Sequence, residues 1–83
     1  MRRSIDDARD AHPEGDDEQP PSSWMVALAD DCDGCGDVRV TVTLEEVSAA
    51  GTGIVAHLDH AGARRLRAAI ADALSEVGEP PGR

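Results

Sequence analysis

Lysine, phenylalanine and tyrosine are absent from this 83-residue chain, and Trp24 is its one aromatic residue. The lack of lysine excludes Schiff-base chemistry and the lack of tyrosine a phenolic acid or base. One indole is too few for the successive stacking that holds single-stranded nucleic acid. Positive charge is also scarce: 8 basic residues, all arginine, stand against 17 acidic ones, for a formal charge of -9. A field of that sign repels phosphate backbones and anionic lipid, so charge argues against nucleic acid and membrane as partners. The longest apolar run, Trp24 to Ala29, falls far short of the roughly 18 residues a bilayer span requires. Met1-Arg2-Arg3-Ser4 leads into acids instead of an apolar signal core, so the expected location is cytoplasmic. Cysteine is limited to Cys32 and Cys35. In a reducing compartment that spacing reads as a metal or redox pair sooner than as a structural disulfide.

What is present divides in two. Residues 1–23 hold seven acids against Arg2, Arg3 and Arg9, three prolines, and Ile5 as the one sizeable aliphatic side chain. Such a segment buries too little to offset about 1–2 kcal/mol of backbone entropy per residue, so it is expected to be a disordered acidic tail. Residues 79–83, Glu-Pro-Pro-Gly-Arg, are expected to fray for the same reason. Residues 24–78 remain as one domain.

Within it the hydrophobic period is first 2 and then 3.6. Val38, Val40, Val42 and Leu44 alternate with polar residues, the pattern of a half-buried strand. Trp24, Val26 and Leu28 give a strand before it, and Ile54, Ala56 and Leu58 one after it, with Ser48 to Gly53 as the turn between. Asp59 stands where a helix N-cap belongs. Ala63, Leu66, Ile70, Ala73, Leu74 and Val77 then recur at helical spacing, and Gly78 with Pro80 supplies the stop. The expected fold is α+β: a three-stranded antiparallel meander followed by one C-terminal helix packed on one face. A core this small supplies about 3–5 kcal/mol, and domains of this size commonly add a metal, a disulfide or a second subunit.

Cys32-Asp33-Gly34-Cys35-Gly36 and His57-Leu58-Asp59-His60 form the candidate staple. In a three-stranded meander the first turn and the exit of the last strand share one end of the sheet, which brings the two pairs together. Two thiolates and two imidazoles complete a closed tetrahedral zinc site, and glycine permits the positive φ of a tight knuckle. Over about residues 30–75 the chain resembles treble-clef zinc modules, which have a CxxCG knuckle, a β-hairpin and a second ligand pair at the start of the next helix. The resemblance implies a structural, non-catalytic zinc held by Cys32, Cys35, His57 and His60. The chain departs from that pattern in using His-x-x-His as its second pair, in having a strand before the knuckle, and in lacking flanking basic residues. It is also loosely similar to small Arg- and Ala-rich actinobacterial proteins that end in a strand and an Ala-Arg-x-Leu helix, here Ala63-Arg64-Arg65-Leu66. That likeness implies no activity.

Set beside the zinc site is a plainer interpretation, in which the cysteines are small buried hydrophobes and the histidines ordinary surface residues. Other chemistries fare worse. A redox pair wants cationic neighbours, whereas the cysteines lie in sequence among Asp30, Asp31, Asp33 and Asp37. A calcium loop counted from Asp31 reaches Val42 where a bidentate Glu is needed. Gly51-Thr52-Gly53 precedes a strand and so is no phosphate loop. Ser48, His57 and Asp59 make a triad on paper only, with no nucleophile elbow.

Arg64, Arg65 and Arg67 crowd the front of the helix, where their charge opposes the helix dipole. They are either a site for an acidic partner or a solvated face. The composition indicates a small acidic, non-enzymatic module that binds another protein. The alternative is a self-associating subunit, a homodimer built on a sheet edge or on the Ala-rich helix.

Overall fold

The alternating segments pair as their patterns require, and one further strand joins them. The computed structural model describes residues 2–12, 20–30, 34–49 and 51–82. Four strands, β1 (Arg2–Arg9), β2 (Ser22–Ala29), β3 (Arg39–Glu46) and β4 (Ile54–Leu58), lie in that order in one antiparallel sheet, and α1 (His60–Glu76) follows. The expected three-stranded meander is therefore β2 to β4 of a four-stranded sheet.

The fourth strand comes from the segment 1–23, expected to be a disordered tail. Residues 2–9 pair along β2, while residues 13–19 lie outside the described residues. All eight residues of β1 are exposed, so burial does not order them. The backbone ladder does, and it exchanges hydrogen bonds without needing apolar side chains. Asp10 closes its end: its N–H donates to the Ser22 carbonyl (2.8 Å), and its carboxylate accepts from the N–H groups of Ser22 (3.2 Å) and His12 (3.3 Å).

Cross-strand partners share a face, so the register sorts the side chains. Trp24 pairs with Leu44 and Leu44 with Ile54; Val26 with Val42 and Val42 with Ala56; Leu28 with Val40 and Val40 with Leu58. These three rows make one apolar face. The helix packs over it against β3 and β4. Its start is fixed by Asp59, whose Oδ1 accepts from the Gly62 N–H at 2.7 Å, as the capping pattern requires. Its end is a Schellman turn: Glu79 N–H donates to Leu74 O (2.9 Å) and Gly78 N–H to Ser75 O (3.0 Å), with Gly78 at φ +78°.

The helix covers the face poorly. Among the described residues only Ala27, Ala29 and Thr41 are buried, all on the opposite face, and no large side chain is fully enclosed. The buried Thr41 hydroxyl donates to Ala27 O at 3.3 Å. Accessible surface totals 6396 Å², against roughly 4,700 Å² for a compact monomer of this mass. The radius of gyration is 14.6 Å, where a compact chain of this length has about 12 Å. No helix among the described residues is long and apolar enough to cross a membrane.

Candidate functional site

Two places on the sheet carry chemistry. At the end where β4 exits, Cys35 Sγ lies 3.4 Å from His57 Nδ1, the approach that the meander topology predicts. Gly36, at φ +79°, turns the chain back beside Cys35 in a conformation that costs an L side chain strain. Tetrahedral zinc with sulfur at about 2.3 Å and nitrogen at about 2.0 Å sets the two donors roughly 3.5 Å apart, so this pair has the separation of neighbouring zinc ligands.

The remaining proposed ligands stand differently. Cys32 lies outside the described residues. His60 is exposed in the first turn of α1, whereas His57 pairs with Thr41, on the sheet face opposite the one against which α1 packs. Among the described residues no three ligating side chains cluster as a metal site. The structure thus joins Cys35 to His57 and does not join His60 to them.

Arg39 completes this end. Its guanidinium donates to the Cys35 carbonyl (3.0 Å) and to Asp37 Oδ1 (3.1 Å). Hydrogen bonding to Cys35 holds Arg39 above its ordinary pKa, desolvation opposes this, and the charges of Asp37, Cys35 and Asp59 add to the rise. Sequence reasoning missed this cation, which binds the Cys35 carbonyl and pairs with Asp37, one of the acids expected around the cysteines. Arg39 reads as one more outward polar residue of an alternating strand, and nothing in that alternation marks its reach back to Cys35. The paper triad does not assemble: Ser48 lies in the β3–β4 turn, and β4 separates it from His57 at the far end.

The second place is a groove of about 660 Å³ between sheet and helix. Val26, Val40 and Val42 form its floor, Ala63, Leu66 and Ile70 its wall, and Pro81 and Gly82 lie at its margin. Arg64 and Arg67 line it too, whereas Arg65 does not. Neither Arg64 nor Arg67 has an ion-pair partner among the described residues. The arrangement suits an apolar segment bearing carboxylates at its margin. Compared with protein-family models, curated proteins and solved structures, the chain matches none.

Proposed function

We propose that this protein is a non-catalytic protein-binding module whose groove receives an amphipathic segment of another protein, apolar on one side and acidic along its border. The open, apolar groove, lined by two arginines with no ion-pair partner among the described residues, carries this reading. A structural zinc belongs to the same proposal, with Cys35 and His57 as a ligand pair and His60 not among its ligands. Its support is the 3.4 Å approach of Cys35 to His57. Such an ion would brace the sheet end from which the helix departs.

A synthetic helical peptide with leucines at i, i+3, i+4 and i+7 and flanking glutamates tests the groove. It is expected to shift the methyl resonances of Val26, Val40, Val42 and Leu66. The Arg64→Glu/Arg67→Glu double variant should weaken binding, and Arg65→Glu should leave it unchanged. Equal binding of a lysine-flanked peptide, or shifts confined to other residues, would refute the assignment.

A second reading, self-association, is favoured by a separate observation, the open edge of β1.

A further inference from the structure

We infer that β1 is a homodimerisation edge, pairing antiparallel with β1 of a second copy about a two-fold axis that passes between Ser4 and Ile5. This goes beyond groove binding and does not depend on it. The strand lies at the sheet edge, eight residues long and exposed throughout, with one side of its backbone facing no other strand among the described residues. Unpaired edges of this length are templates for a further strand.

The sequence of that edge is self-complementary. In Arg2-Arg3-Ser4-Ile5-Asp6-Asp7-Ala8-Arg9, guanidiniums come first and carboxylates follow. Antiparallel pairing about the stated axis sets Arg3 opposite Asp6 of the second copy, and the two-fold repeats the pair. Parallel pairing would set like charge against like. Opposite charges directly across a ladder stabilise it, and like charges destabilise it.

Face matters as well as order. In a regular strand, residues 3 and 6 point to opposite faces and could not meet across such an axis. Here the register slips by one residue between Ser4 and Asp6. Arg3 is opposite Leu28 and Asp6 opposite Val26, so both share the apolar face. The bulge at Ile5 thus places each of these charges on the side where its complement would stand. Asp6 Oδ1 accepts from the Asp7 N–H at 3.0 Å, which leaves Oδ2 to take a guanidinium of the second copy. At the other edge of the sheet, β4 carries no carboxylate or guanidinium that could set a register. An axis perpendicular to the sheet would keep both grooves on one face of an eight-stranded sheet, and the assembly would present two binding sites side by side.

Light scattering on the full chain after size exclusion should give about twice 8.7 kDa. Arg3→Asp leaves only carboxylates along the apolar side of the edge and Asp6→Arg only guanidiniums, so each alone should weaken the dimer by about tenfold or more. An equimolar mixture of the two folded variants should recover a heterodimer of wild-type strength, because each then supplies what the other lacks. A wild-type monomer at every concentration would overturn the inference while leaving groove binding intact. So would a dimer that neither reversal weakens, or folded single variants, checked by far-UV circular dichroism, that stay apart when mixed.

Discussion

The two ends of the apolar face are built from the same kinds of side chain and end in different environments. Leu28, Val40 and Leu58 form the row nearest the start of α1, and all three are half-buried. Trp24, Leu44 and Ile54 form the far row, where Leu44 is 57% and Ile54 78% exposed. Hydrophobicity does not distinguish the rows. Position does, because α1 begins two residues after Leu58 and is fixed there by Asp59, while the far row depends on whatever else comes to cover it. In a domain with so little enclosed volume, apolar residues mark a surface to be covered, and the capped helix decides which part the chain covers itself.

The largest expected effect sharpens that contrast at the covered end. Zinc bound by native protein and not by the unfolded chain should raise stability by about 4 kcal/mol at a thousandfold excess over its dissociation constant. Thermal melts with and without zinc, on protein purified without chelator, measure it, and Cys35→Ser should abolish the gain. An identical rise in Cys35→Ser, or no rise in the wild type, would remove the ion from the proposal.

Next in size is Leu58→Ala. Truncating a half-buried leucine at the helix-covered end should cost about 2 kcal/mol in urea denaturation, part from lost apolar burial and part from the space left beneath α1. A loss of less than about 0.5 kcal/mol would mean that the helix does not rest on this row, and the distinction between the two ends would fail.

Much of this arrangement is legible in the residues themselves. Val40, Val42 and Leu44 announce a strand because their period is 2. Asp59 and Gly78 bracket a helix because each supplies what its terminus lacks, a side-chain acceptor at one end and a left-handed turn at the other. Topology then predicts the approach of Cys35 to His57 without knowledge of any distance. What escaped is equally physical. β1 has no apolar alternation because it buries no side chain, and its order resides in backbone hydrogen bonds that every non-proline residue can make. Arg39 escaped because its partner is a carbonyl, which no side-chain pattern reveals. The separation of His60 from His57 follows from strand parity: His57 stands on the face opposite the one on which α1 packs, and His60 opens that helix.

The smallest expected effect tests the open row. Ile54→Thr keeps the β-branched shape that favours a strand and replaces a methylene-bearing arm with a hydroxyl. At a position 78% exposed, that hydroxyl stays hydrated, so no buried polar group results and stability in dilute solution should move by no more than about 0.5 kcal/mol. The same substitution at a covered position would leave a hydroxyl without water and cost several times as much. Measuring urea unfolding of Ile54→Thr at low and at high protein concentration therefore reports on coverage. If the cost stays small in both, the far row is open in the isolated protein, as its exposure indicates. If it grows with concentration, this row is buried between copies in addition to any pairing along β1, and the contrast between the ends belongs to the single chain and not to the assembly.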